Sequence, residues 1–140
     1  MDWYNCLKAS ADNDMDGVKT VAVVIFRPKG DSYEVCIGKQ VKGKPSNGRW
    51  VLPGGHVEDE KPIDAACREL MEEVGIKANL FFCDRDGTDA MFFGIVSEGT
   101  GAEAKSDLSS LTWVPVEKIP KMAWDQKDAV LKCLEKIKEQ

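Results

Sequence analysis

Positive charge is in short supply in this 140-residue sequence: 19 Lys and Arg stand against 24 Asp and Glu, a formal net charge of -5. Duplex binding rests on neutralising several phosphates with Lys and Arg, so the balance argues against a nucleic-acid duplex as the main partner. A short polyphosphate stays within reach if a divalent metal supplies the positive charge. Histidine is rarer still. His56 is the only one, and no Ser or Cys around it suggests a nucleophile pair. Zinc-type cysteine spacing is also missing. Cys6, Cys36, Cys67, Cys83 and Cys133 are odd in number and no two are separated by two residues. They read as reduced, mostly buried thiols of a cytoplasmic protein rather than as disulfides or a zinc site. No apolar run approaches the ~20 residues of a membrane helix, so no membrane partner is expected. Residues 1–17 lack the basic start and apolar stretch of a signal peptide. Repeats and low-complexity linkers are absent as well.

What is present fits one globular domain over residues 1–140, with 43% hydrophobic and 31% charged residues. Residues 1–17 are expected to be peripheral or partly flexible. Val18–Arg27 is apolar and β-branched and predicts a central strand that ends at Pro28. A turn at Pro28–Asp31 leads to a hairpin partner over Tyr33–Val41. Lys42–Arg49 is a basic loop, followed by a short strand Trp50–Leu52 and a Pro53-Gly54-Gly55 turn. Lys61–Val74 is the clearest helix, with Asp59 or Glu60 as its cap, Pro62 in its first turn and Gly75 closing it. Further strands are expected over Ala78–Cys83, Ala90–Val96 and Leu111–Val114, the last stopped by Pro115, with Glu98–Ser110 as loop. Glu117–Ile119 suggests a helical turn. Asp125–Lys138 is an amphipathic closing helix with Ala129, Val130, Cys133, Leu134 and Ile137 on its apolar side. The order predicts a mixed sheet with helices on its faces, a single α/β domain.

Within Lys61–Val74, roughly 100° per residue gathers Ile63, Ala66, Cys67, Leu70 and Val74 on a core face. Glu69, Glu72 and Glu73 gather elsewhere, away from that face, at spacings of three and four. Each like-charge pair at such spacing costs about 0.2–0.5 kcal/mol. A divalent cation would offset the repulsion, and hard oxygen ligands suit Mg²⁺ or Mn²⁺. On the helix alone, a solvated acidic face is the commoner meaning of such a cluster.

The residues around the helix alter that balance. Gly54, five residues, Glu60, seven residues, then Arg68-Glu69-Leu70-Met71-Glu72-Glu73-Val74-Gly75-Ile76 fill every specified position of a 23-residue pattern. This resembles the signature of the Nudix hydrolases, G-x5-E-x7-R-E-U-x-E-E-x-G-U with U apolar. The approach Gly48-Arg49-Trp50-Val51-Leu52-Pro53-Gly54-Gly55 and the later Trp113-Val114-Pro115 are similar to family elements too. The resemblance implies a Nudix-type α/β/α sandwich with a mixed sheet, one internal catalytic helix and a C-terminal helix. One departure stands out. Many relatives carry an extra residue, often glycine, before the first glutamate of the pattern. Here Glu58-Asp59-Glu60 lacks it, so the loop is tighter and the role of Glu58 does not carry over.

The same resemblance implies roles. Glu69, Glu72 and Glu73 are the metal ligands, with the Gly54 carbonyl as a further one and Mg²⁺ or Mn²⁺ as cofactor. One of these glutamates can instead orient or deprotonate the attacking water, and Glu69 is our choice for it. Arg68 orients a glutamate, and Glu60 braces the loop–helix junction or caps the helix. Asp107, six residues before Trp113, matches a late carboxylate of relatives, with Glu98 and Glu103 as rivals. Lys39 matches a phosphate-contacting position of MutT-like members, and Lys42, Lys44 and Arg49 would extend that basic patch. Trp124 and Phe92 are candidates for stacking on a base, with core packing the default for both. Trp50 and Trp113 go to the core or the site wall.

Three functions follow. The leading one is a MutT-like enzyme converting a nucleoside triphosphate to a monophosphate and pyrophosphate. A second is another Nudix substrate: a nucleotide sugar, a dinucleoside polyphosphate or an RNA 5′ end. The window Met91-Phe92-Phe93-Gly94 lacks the Pro or Tyr of some ADP-ribose and diadenosine subfamilies. The third is a module that senses a nucleotide without cutting it, which the intact glutamates disfavour.

Overall fold

The computed structural model describes residues 15–41, 48–105 and 108–138. Cys6, Lys42, Lys44, Asp107 and most of the expected peripheral segment 1–17 lie outside the described residues. Seven strands form one sheet: β1 Thr20–Lys29, β2 Ser32–Gln40, β3 Trp50–Val51, β4 Gly54–His56, β5 Phe81–Asp86, β6 Asp89–Ile95 and β7 Leu108–Pro115. Two helices complete it, α1 Pro62–Val74 and α2 Gln126–Lys138, with a 3₁₀ turn at Val116–Lys118.

The sheet is mixed because β1 runs parallel to β6 and antiparallel to β2 and β4. One edge of β1 pairs with β6 from Thr20 to Phe26. The other edge is divided: Thr20–Ala22 pairs with β4 and Phe26–Lys29 with β2. β2 then gives its own divided edge to β1 and β3, and its outer edge to β7. So β1 and β2 diverge toward one end, and the Trp50–His56 segment fills the gap. Strand alternation assigns the two cores. Val21, Val23 and Ile25 pack with Ile63, Ala66, Leu70 and Val74 of α1. Val24 and Phe26 pack with Val130, Cys133 and Ile137 of α2. Fully burying each such aliphatic side chain contributes about 1.5–3 kcal/mol. The result is the α/β/α layering expected from the sequence.

Four local expectations are corrected. Pro28 does not end β1; it lies opposite Tyr33, one pair before the Gly30–Asp31 turn. β6 reaches only as far as Phe26, so the missing proline N–H removes no ladder bond. The Pro53–Gly55 turn is in part a strand, because Gly54 and Gly55 pair with Ala22 and Val21. A Cβ on Gly54 would stand 2.2 Å from the Val21 carbonyl oxygen, so only glycine permits that approach. β5 and β7 are displaced from their expected ranges. Charged Asp84–Asp86 pairs with β6 through a hairpin, and Leu108–Ser110 pairs along β2. Cross-strand bonding decides both, against a polar composition that reads as loop. Finally, Lys61 holds the N-cap position of α1 without a side-chain cap bond, so neither Asp59 nor Glu60 is the cap. Gly75 does close α1, at φ 75°, donating its N–H to the carbonyls of Leu70 and Met71.

Candidate active site

α1 and β4 meet at the open end of the sheet. Gly54 donates its backbone N–H to Glu73 Oε1 at 2.7 Å. Glu73 is only 4% exposed, which corrects the expectation that its side chain points away from the core face. The tight β4–β1 approach explains this: it brings a backbone donor over the helix. Beside it, the Glu69 carboxylate lies against Gly55, where a Cβ would come within 2.5 Å of Oε1. The two glycines thus make room for two glutamates. Glu72, one turn from Arg68, is half exposed.

Arg68 gathers the rest. Nη2 donates to Glu60 Oε1 at 2.6 Å and to the His56 carbonyl at 3.0 Å. Nε shares both Glu60 oxygens, and Nη1 reaches Glu69 Oε1 at 3.0 Å and Glu72 Oε2 at 3.2 Å. The Arg68 hydrogen bonds hold the Glu60 carboxyl below the usual carboxylate range, while Glu60 and, to a lesser degree, Glu69 push the Arg68 guanidinium further up. Glu60 thus ties the loop before α1 to the helix through Arg68. Through Glu69 and Glu72 the guanidinium offsets part of the repulsion expected on this helix face, while Glu73 is bonded to the Gly54 N–H.

A cleft of about 750 Å³ opens beside this cluster, within the range of small-molecule sites. Thr20, Ala22, Gly54, Gly55, His56 and Glu73 line it, together with Asp84, Arg85, Asp86, Asp89 and Met91 of β5 and β6 and with Trp124, Asp125 and Gln126. Among the described residues, Lys39 and Arg49 do not line it. Lys39 Nζ sits 4.9 Å from the centre of the Trp50 ring, and Arg49 is exposed. Phe92 is fully buried in the α1-side core, whereas Trp124 is 63% exposed and so is not a core residue. Trp113 lies under the Arg27 guanidinium, 4.3 Å away, at the edge of the core. Glu98 and Glu103 are exposed. Nothing in the sequence singled out the acidic β5–β6 wall, because its position depends on a hairpin read as loop.

The donor set suits a hard divalent cation: carboxylate oxygens on adjacent turns of α1, beside a glycine cradle that a Cβ would fill. As they stand, these oxygens face Arg68 and the Gly54 N–H, and among the described residues no three acidic, His or Cys side chains converge on one point. No described helix is long and apolar enough to cross a membrane.

Comparison with known proteins agrees with this arrangement. A family model described as the NUDIX domain matches residues 17–133. An RNA pyrophosphohydrolase of Bartonella tribocorum is 42% identical over 66 residues, covering 43% of this chain and 36% of that protein. The chain therefore spans little more than a third of that relative. A putative 8-oxo-dGTP diphosphatase 2 of Mycobacterium tuberculosis is 32% identical over 99 residues, 64% of this chain and 70% of that one. Among solved structures, the NUDIX domain of Shewanella oneidensis NrtR complexed with ADP ribose aligns with a TM-score of 0.72 at 20% identity, covering 86% of this chain and 88% of that one. A C. elegans Ap4A hydrolase aligns at 0.66 and 19% identity, covering 88% and 99%. At such identities the structural likeness speaks for the fold.

Proposed function

Because this chain belongs to the Nudix family, we propose that it is a hydrolase that cleaves a phosphoanhydride bond in a nucleoside-diphosphate-linked substrate, by preference a nucleoside triphosphate to monophosphate and pyrophosphate. The observation that carries the proposal is the juxtaposition of Glu73, Gly54 and Gly55 with a cleft that ends at an exposed Trp124. One end is built for phosphate chemistry, and the other offers a flat apolar ring.

In this reading Glu72, Glu73 and the Gly54 carbonyl would hold Mg²⁺ or Mn²⁺, with Glu69 either joining them or serving instead as the base. When bound, the cation neutralises charge on the diphosphate and makes a nearby water more acidic. As the base, Glu69 accepts a proton from the attacking water. Arg68 sets the orientation of Glu69 and Glu72, and its own position is fixed by Glu60 and the His56 carbonyl. A new P–O bond forms as the anhydride P–O bond breaks, with pyrophosphate leaving and no covalent enzyme intermediate. Lys39 and Arg49, which stand outside the cleft lining, attract the anionic substrate at longer range. Asp107 adds a late carboxylate.

Trp124 stacks on the base. It holds φ 54°, a left-handed conformation rare for so bulky a residue. Its neighbours anchor it: Ala123 donates to the Trp50 carbonyl at 2.9 Å, and Gln126 Oε1 accepts from Leu52 N–H at 2.9 Å. Such strain, about 1–3 kcal/mol, persists where surroundings impose it, often at functional sites. The likeness to RNA pyrophosphohydrolases supports an RNA 5′ end as a second reading.

A substrate panel decides between them. Nucleoside triphosphates, ADP-ribose, diadenosine polyphosphates and 5′-triphosphate RNA would be incubated with the full chain in ¹⁸O-water, with Mg²⁺, with Mn²⁺ and with chelator. Monophosphate and pyrophosphate from triphosphates, lost with chelator, is the expected result. Inorganic phosphate as the sole first product, or preference for the RNA, would reject the leading reading. Tight binding of nucleotides without cleavage would show a sensing module instead.

A further inference from the structure

On the sheet face away from α1 lies a pair of thiols, Cys83 and Cys133, that the hydrolytic site does not use. Cys83 of β5 and Cys133 of α2 are buried in the α2-side core. Cys133 Sγ donates its S–H toward Met91 Sδ at 3.6 Å and also lies in hydrogen-bonding contact with Cys83. Cys83 is not sealed off: it lines a surface concavity of about 340 Å³ together with Asp84, Lys132, Glu135 and Lys136.

We propose that Cys83 and Cys133 form a reversible dithiol–disulfide modification site that responds to hydroperoxides. Two thiols already in side-chain contact, on a strand and a helix packed together, need little chain movement to join. The two are not equivalent. The Cys133 hydrogen bond and the Lys132 and Lys136 charges hold the Cys83 thiol below its usual range, against burial and Asp84. The same contact and full burial push the Cys133 thiol far up. Cys83 is thus the nucleophile, reached from the concavity, and Cys133 the resolving thiol. The Cys83 thiolate attacks the O–O bond of the hydroperoxide, an S–O bond forms, and the alcohol or water leaves. Two electrons pass from sulfur to the peroxide. The Cys133 sulfur then attacks the sulfenic sulfur of Cys83; an S–S bond forms, the S–O bond breaks, and the departing hydroxide takes the Cys133 proton as water. Cys36, by contrast, is raised to about 12 by burial.

The test is peptide mapping of the full chain after brief treatment with hydrogen peroxide, under thiol-blocking conditions. A linked Cys83–Cys133 peptide is expected, lost again with dithiothreitol, and with it an upward shift in Tm from a bridge between β5 and α2. In Cys133→Ser, a sulfenic-acid trap should label Cys83; in Cys83→Ser, Cys133 should stay unlabelled. Oxidation confined to Cys67 or Cys6, a label on Cys133 in Cys83→Ser, or both thiols left free after Cys67 has reacted would overturn the proposal. Should a serine variant fail to fold, mapping of the unaltered chain decides alone.

Discussion

Replacing Glu73 by glutamine separates two functions of one side chain. The amide keeps the shape and an acceptor oxygen for the Gly54 N–H, now bonded at 2.7 Å, but loses the charge. A hydrogen bond to a charged group contributes about 1.5–3 kcal/mol and a neutral one about 0.5–1.5, so the substitution costs about 1–1.5 kcal/mol. Relief of the repulsion between positions 69 and 73, one turn apart, returns about 0.2–0.5 kcal/mol. The net loss is about 1 kcal/mol, a fall in Tm of roughly 3–6 °C for a chain of this size. Glu73→Ala removes the acceptor altogether and leaves a void at a site only 4% exposed. Its expected cost is about 2–4 kcal/mol. Urea unfolding in chelator would measure both, beside steady-state turnover with Mg²⁺. Losing a metal ligand withdraws several kcal/mol of transition-state stabilisation, so Glu73→Gln should remain folded while turnover drops at least ~100-fold. Near-normal turnover would refute the ligand role. Equal stability of the Gln and Ala variants would refute the Gly54 clamp.

Gly55→Ala should leave secondary structure intact but lower turnover, because its Cβ would displace the Glu69 carboxylate, now 2.5 Å from that point; unchanged kcat would show that Glu69 has no role in this position. The Glu60 carboxyl is depressed by Arg68, so its stabilisation is complete above its ordinary value of 4.5 and is lost as pH falls through the lower folded-state value. Glu60→Gln should therefore show a shallower acid limb in stability against pH, and a pH-independent difference from the parent would contradict the ion pair. Trp124→Ala should raise KM for nucleotides several-fold with little change in kcat, through loss of stacking; Trp124→Gly should do the same while raising stability, and an unaltered KM in both would remove the base platform.

The carboxylates were legible in the sequence because helical spacing is a local property: Glu69, Glu72 and Glu73 share a region of α1 whatever surrounds it. Their individual environments were not. Glu73 is buried because β4, whose Gly54 stands 19 residues earlier in the chain, lies over it, and glycines in a turn-like sequence concealed that strand. The two-sided core of β1 follows from its continuous apolar run. The far wall of the cleft does not, since Asp84-Arg85-Asp86 has loop composition and becomes strand only through its partners in β6. Trp124 was ambiguous for a similar reason: nothing local distinguishes an aromatic that packs inward from one held outward by bonds on Ala123 and Gln126.

β1 also sets a distance that matters for handling the molecule. Its first residues, Thr20 to Ala22, line the cleft, and its last leads into the Gly30–Asp31 hairpin tip. Eight residues of extended strand at about 3.3 Å each put that tip roughly 25 Å from the reacting end. Gly30, at φ 58°, has open space around its missing Cβ but a backbone that resists replacement, whereas Asp31 is exposed. A fluorophore, a surface linker or an inserted affinity peptide placed at Asp31 would report on or immobilise the enzyme without touching its chemistry.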